Sequence, residues 1–97
     1  MNDTVGSGPV LLPVITSLNS NYPNPFNPVT TISFNVKEGE NAKLSIFNVK
    51  GQIVESRQYA AGSHEHIWNA AGKTSGVYFY KLQTDSYTKT KRMLLLK

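Results

Sequence analysis

Cysteine is absent from this chain, so it has no thiol nucleophile, no disulfide and no cysteine-ligated zinc. His64 and His66 are its two histidines. At i and i+2 on a strand, two rings point to one face and can reach a shared metal ion. No third ligand is near in sequence and Glu65 falls on the opposite face, so the pair reads as two solvent-facing strand histidines. Catalysis needs a nucleophile beside a base, or two carboxylates converging in a dry pocket. The acids here (Asp3, Glu38, Glu40, Glu55, Glu65, Asp85) are scattered along the chain, and the serines lie mostly in turns and on polar strand faces. Gly72-Lys73-Thr74 matches the end of a phosphate-binding loop, but Ile67 stands where that loop needs its first glycine, and a strand pattern follows where a helix should. The expectation is no catalytic residue, no metal ligand, no cofactor and no enzyme. Phe47, Tyr59, Phe79 and Tyr87 are the candidates for an outward-facing aromatic set. Exposed coplanar aromatics would suit a carbohydrate-binding module; the plainer reading is cross-strand pairing or filling of the second side of a sandwich.

The elements that position these groups follow from spacing. Turn-type residues fall at Glu38–Asn41, Val49–Gly51, Ala61–Ser63, Gly72–Gly76 and Thr84–Ser86, about eleven or twelve residues apart. Between them lie short runs rich in β-branched and aromatic residues with period-two alternation. Ile32, Phe34 and Val36 oppose Thr31, Ser33 and Asn35. Ala42, Leu44 and Ile46 oppose Lys43 and Ser45, with Phe47 breaking the polar face. Tyr78, Tyr80 and Leu82 oppose Phe79, Lys81 and Gln83. The spacing predicts about seven strands, near 16–22, 29–37, 42–48, 52–59, 64–69, 77–84 and 87–96. That pattern is all-β and specifies an immunoglobulin-like antiparallel β-sandwich, with a closed barrel as the alternative. Trp68 is the expected centre of the core, surrounded by Phe34, Ile46, Tyr78 and Leu82.

At 97 residues the chain has room for one domain, placed at 16–97 behind a Gly/Ser/Pro-containing linker at 1–15. The formal net charge is +4. Residues 1–86 hold six basic groups (Lys37, Lys43, Lys50, Arg57, Lys73, Lys81) against six acids and balance to zero. The whole excess therefore sits in Tyr87–Lys97, on Lys89, Lys91, Arg92 and Lys97. These cations alternate with strand-forming residues, which fits a charged sheet edge better than a nucleic-acid surface. No apolar run approaches the roughly 20 residues that a membrane-spanning helix needs. Met1-Asn2-Asp3-Thr4 lacks the basic start of a secretory signal, so an export leader, if any, is expected upstream in a longer chain.

Asn21-Tyr22-Pro23-Asn24-Pro25-Phe26-Asn27-Pro28 is the segment with the strongest individual character. Prolines at 23, 25 and 28 remove three backbone donors and fix φ near −65°. Residues before proline are pushed toward extended conformations, and asparagine side chains close local turns. The outcome is a stiff corner leading into the strand at Val29, with Tyr22 and Phe26 expected to plug the end of the sandwich.

This corner, followed by Thr30-Thr31-Ile32, resembles the opening of the type A C-terminal sorting domain of the bacterial type IX (Por) secretion system. The resemblance continues through Leu44–Val54 with its glycine Gly51, through Ala61–His64 and Ile67–Ala70, and through Ser75-Gly76-Val77-Tyr78-Phe79-Tyr80-Lys81-Leu82. It ends on Lys91-Arg92-Met93-Leu94-Leu95-Leu96-Lys97. Pro23, Asn24, Pro25, Phe26, Asn27, Gly51, Gly76 and Tyr78 are the structural motif positions it marks. A related immunoglobulin-like domain occurs in flagellar hook-capping proteins, so fold alone leaves the role open. The resemblance implies a signal that directs an upstream cargo, often a hydrolase or adhesin, through the outer-membrane translocon of a Gram-negative bacterium. It further implies periplasmic transit, removal by a sortase-like peptidase at the cell surface, and cargo released or attached there. Lys91, Arg92, Met93, Leu94, Leu95, Leu96 and Lys97 are then the expected translocon-recognition segment, read as an exposed strand edge with basic flanks. The opposing reading makes Met93–Leu96 a central strand buried on both faces. A non-catalytic structural, adhesion or carbohydrate-binding module is the alternative function.

Overall fold

The computed structural model describes residues 12–97. Among these residues the strands are β1 (Ser17–Leu18), β2 (Val29–Val36), β3 (Ala42–Phe47), β4 (Ile53–Tyr59), β5 (Gly62–Asn69), β6 (Gly76–Gln83) and β7 (Thr88–Leu95), with no helix. They pair antiparallel in two sheets, ordered β1-β2-β5 and β4-β3-β6-β7. The result is the sandwich that the alternation predicts. In β2, Thr30, Ile32, Phe34 and Val36 are buried while Thr31, Ser33 and Asn35 are half-exposed. Ala42, Leu44 and Ile46 from β3, Trp68 from β5, Tyr78, Tyr80 and Leu82 from β6, and Met93 and Leu95 from β7 fill the space between the sheets. Trp68 meets Tyr78 edge-on with ring centres 5.3 Å apart, and Phe26 lies 5.8 Å away on its other side. Most of the linker expected at 1–15 lies outside the described residues.

The first strand differs from expectation. The spacing predicts a strand over 16–22, but regular pairing stops after Leu18, with one further bridge at Tyr22. The cause is Asn21, which is buried. Its N–H donates to the Tyr80 hydroxyl oxygen at 2.9 Å, and the Tyr80 hydroxyl donates to the Asn19 carbonyl at 3.1 Å. The Tyr80 hydroxyl comes from β6 of the opposite sheet, so the chain is drawn inward and the β1–β2 ladder is interrupted. A buried hydroxyl needs such partners, and here they tie β6 to the first edge of the other sheet.

Each remaining end of the sandwich is closed by polar side chains. Glu40, in the β2–β3 connection, accepts from Ser86 Oγ at 2.5 Å and Thr16 Oγ1 at 3.3 Å and lies 3.7 Å from Lys37 Nζ. The hydroxyl of Ser86 chiefly, helped by Lys37, holds its carboxyl below the usual carboxylate range. At the other end Asn48 Oδ1 accepts from Lys50 N and Gln52 N at 2.9 and 3.0 Å, shaping the β3–β4 turn. Gly51 closes that turn at φ +81°, a backbone conformation in which any side chain is strained.

Tyr80→Phe tests the inter-sheet tie. Loss of its two bonds should cost about 1–2 kcal/mol in urea unfolding. Burial raises the Tyr80 hydroxyl pKa above its ordinary value. A group whose folded pKa is raised contributes stability below its unfolded value of about 10, and that contribution fades as pH climbs through the folded pKa. The parent protein should therefore lose stability above pH ~10 more steeply than Tyr80→Phe; parallel alkaline profiles would contradict the buried placement of this hydroxyl.

Candidate functional site

β7 lies at the edge of its sheet, paired with β6 from Gly76↔Leu95 to Gln83↔Thr88. This overturns the reading of Met93–Leu96 as a central strand buried on both faces. Met93 and Leu95 point into the core and are fully buried, whereas Leu94 is half-buried on the outer face and Leu96 is 48% exposed. Lys91 is half-exposed, and Arg92 and Lys97 are exposed. The apolar run is thus split by the strand period: two residues anchor, two remain reachable.

The proline-asparagine corner lies against the end of this edge. Phe26 N donates to the Leu94 carbonyl at 2.9 Å, and Leu96 N donates to the Phe26 carbonyl at 2.9 Å, forming a parallel bridge between Phe26 and Leu95. Asn24 Oδ1 accepts from Leu94 N at 3.0 Å. The segment therefore switches sheets: Tyr22 exchanges backbone bonds with Thr31 of β2, Phe26 then pairs with β7, and Pro28 accepts from Ala70 N at 2.9 Å on the return. Two groups of motif residues that are separate in sequence become one structure. The Phe26 ring is buried against Trp68. Tyr22, expected to plug the same end, is instead 80% exposed, because its backbone serves β2 while its ring turns to solvent.

Polar side chains hold the corner in shape, Asn21 through the local turn its residue type predicts and Thr30 from β2. Thr30 Oγ1 donates to the Pro23 carbonyl at 2.8 Å, and Asn21 Nδ2 donates to Thr30 Oγ1 at 3.0 Å and to the Pro23 carbonyl at 3.2 Å. The signal for Thr30 was present in the parity of β2, since Thr30 falls in step with the inward-facing Ile32 and Phe34 and an inward threonine must find a partner. Among the other motif positions, Tyr78 is buried and its hydroxyl donates to the Thr74 carbonyl at 2.6 Å. Gly76 opens β6 at φ +138°. Pro25 and Asn27 are exposed on the corner's surface.

The histidines are not the solvent-facing pair expected. His66 is 4% exposed and lies between the two sheets, since it shares strand parity with Trp68. Its Nδ1 is 2.6 Å from the Tyr59 hydroxyl and its Nε2 is 2.5 Å from Glu55 Oε2. With Glu55 ionised, Nε2 donates and Nδ1 accepts from Tyr59, so a neutral imidazole is fully satisfied. The trio bridges edge strands β4 and β5 and closes that side of the sandwich. Burial chiefly, with Glu55 adding to it, raises the Tyr59 hydroxyl pKa. His64 Nε2 lies 2.7 Å from the Ala60 carbonyl, and its ring packs on Tyr59 and Phe34. Among the described residues, no group of three or more His, Asp or Glu is placed to hold a metal ion.

The four candidate outward aromatics divide two and two, as the plainer reading of pairing and filling has it. Phe47 and Phe79 are cross-strand partners on the outer face of the β4-β3-β6-β7 sheet. Tyr59 turns inward to His66 and Phe34, and the Tyr87 hydroxyl accepts from Leu18 N at 3.2 Å. Packing demand at the sandwich margins has drawn both tyrosines away from the surface.

The corner and β7 make a direct stability prediction. Asn24→Ala, which removes one acceptor from a partly exposed N–H, should cost about 1 kcal/mol. Phe26→Ala, which empties a buried site against Trp68, should cost about 3–5 kcal/mol. Urea unfolding of both variants checks this; equal costs would mean that the ring adds nothing beyond the backbone pairing.

Comparison with known families agrees with this geometry. The model of the secretion system C-terminal sorting domain matches residues 20–96, from just before the corner to Leu96. No curated protein matches the chain. Domains of the matched family are in general non-catalytic and act as signals for the secretion machinery, leading to export toward the cell surface. No helix among the described residues is long and apolar enough to cross a membrane. With its corner, its terminal strand and residues 20–96 of 97 covered by the match, the chain belongs to the C-terminal sorting domains of the type IX secretion system.

Proposed function

We propose that this domain carries an upstream cargo, of the hydrolase or adhesin class, across the periplasm to the outer-membrane translocon, and that β7 with its flanks is the element the translocon reads. A sortase-like peptidase then separates domain from cargo at the cell surface. The observation that supports this reading is the division of labour in Lys91–Lys97. Met93 and Leu95 are used for folding, while Arg92, Leu94, Leu96 and Lys97 keep exposed or half-exposed side chains. The edge itself is partly open. Leu94 and Leu96 bond outward to the corner. By the two-residue period of an antiparallel ladder, Thr88, Thr90 and Arg92 also direct their N–H groups away from β6. No backbone acceptor meets those three among the described residues. An extended partner segment can add there through main-chain bonds, with basic side chains orienting it.

Deleting Lys91–Lys97 would also remove core residues, so substitution is the cleaner test. A cargo fusion bearing Leu94→Ser, Leu96→Ser, Arg92→Gln and Lys97→Gln keeps Met93 and Leu95. In a bacterium with this secretion system it should accumulate in the periplasm, while the parent fusion reaches the surface with its domain removed, as mass spectrometry of the mature cargo would record. Normal surface delivery of the folded variant would refute β7 recognition. Retention of the domain on surface cargo would refute its removal.

A further inference from the structure

The two broad faces of the sandwich differ in chemistry. The outer face of the β1-β2-β5 sheet carries Thr31, Ser33 and Asn35 from β2 opposite Ile67, Glu65 and Ser63 from β5. Its strands contribute one acid and no cation there. The outer face of the β4-β3-β6-β7 sheet is the reverse. Cross-strand partners share a face, so one row runs Ile53–Phe47–Phe79–Arg92, continued by the neighbouring pair Val77 and Leu94. Lys43 and Lys81 lie on the same face, with Lys81 Nζ 5.5 Å above the Phe47 ring. The strand positions of this face include three cations and no acid. Ile53 is 54% exposed, and Phe47, Phe79, Val77 and Leu94 are half-buried.

We propose that this face is a second docking surface for the secretion machinery, and that its counterpart is a protein surface with an apolar patch bordered by carboxylates. The proposal rests on the sorting function; Arg92 and Leu94 of β7 border the face, and its test lies in Lys43 and Lys81, outside β7. Charge decides among occupants. A second copy of the chain would set Lys43, Lys81 and Arg92 against their own kind, which is repulsive. An anionic bilayer gains about 1 kcal/mol per cation, but half-buried rings lying between strands have little area to insert. A complementary protein surface can cover the flat apolar row and pair each cation at its rim, the arrangement of a specific interface. The face is continuous with β7 through Arg92 and Leu94, so one partner can engage the edge and the face together.

The test uses a cargo fusion with both substitutions outside β7, Lys43→Glu with Lys81→Glu. A control, Lys50→Glu with Lys73→Glu, makes the same change in net charge in the β3–β4 turn and the β5–β6 connection. The on-face pair should cut surface delivery about tenfold, the effect of roughly 1.4 kcal/mol of lost docking, with cargo retained in the periplasm and thermal unfolding unchanged. The control should be delivered like the parent. If the on-face pair perturbs folding, Lys43→Gln with Lys81→Gln is read instead, with the same direction expected. Parental delivery of the on-face variant, or equal loss in the control, overturns the proposal while leaving the sorting role intact. Failure of the parent fusion itself to reach the surface would instead count against the sorting role. In a parallel arm, purified domain is mixed with vesicles of phosphatidylcholine alone or with phosphatidylglycerol. No retention is expected; binding to the anionic vesicles that the on-face substitutions abolish would overturn a protein counterpart in favour of a membrane.

Discussion

An edge strand that must be anchored without inviting further pairing is the constraint on which the rest of this structure depends. β7 has one neighbour, β6, and its far side would present an unbroken row of N–H and C=O groups. Such a row invites uncontrolled pairing. The corner at 21–28 occupies the C-terminal part of that row with few bonds. Phe26 supplies one donor and one acceptor, and Asn24 supplies a side-chain oxygen. Pro23, Pro25 and Pro28 have no N–H to offer, so the corner cannot extend the ladder or begin a new sheet edge of its own. A proline-rich segment is therefore suited to end a sheet where an ordinary strand would prolong it.

The same arrangement divides so short a segment between core and surface. Strand geometry sends alternate side chains to opposite faces. Met93 and Leu95 contribute to the core beside Trp68 and Tyr78, and Arg92, Leu94 and Leu96 remain on the outside. The buried hydroxyl of Tyr80 on β6 and the Asn21–Thr30–Pro23 bonds beside β2 tie the corner to both sheets. The surplus of positive charge in Tyr87–Lys97 lies on this same strand and its flanks.

Much of this was legible in the residues. Period two in β2, β3 and β6 gave the strands and their inward faces, because burial of one side of a sheet imposes that alternation. The composition of the corner announced a non-ladder segment. Its partner was not legible: the Phe26–Leu95 bridge joins residues far apart in the chain, and nothing local to either encodes the other. β1 shortened because Asn21 serves a long-range bond to Tyr80, which local propensity does not contain. The histidines were a different case. Placing Trp68 in the core already implied, by strand parity, that His66 faces inward too. Its partners Tyr59 and Glu55 were hidden in a strand, Ile53–Tyr59, whose polar and charged residues mask its inward side.

Amide hydrogen exchange along β7 measures the corner's hold most directly. Leu94, Thr90 and Thr88 all direct their N–H groups away from β6, but of these only Leu94 meets an acceptor from the corner among the described residues. The account predicts slow exchange at Leu94 and Leu96 and fast exchange at Thr88 and Thr90 within one strand. Exchange at Leu94 and Leu96 as fast as at Thr90 would contradict it, since the proline corner would then not be bonded to the strand it is said to secure.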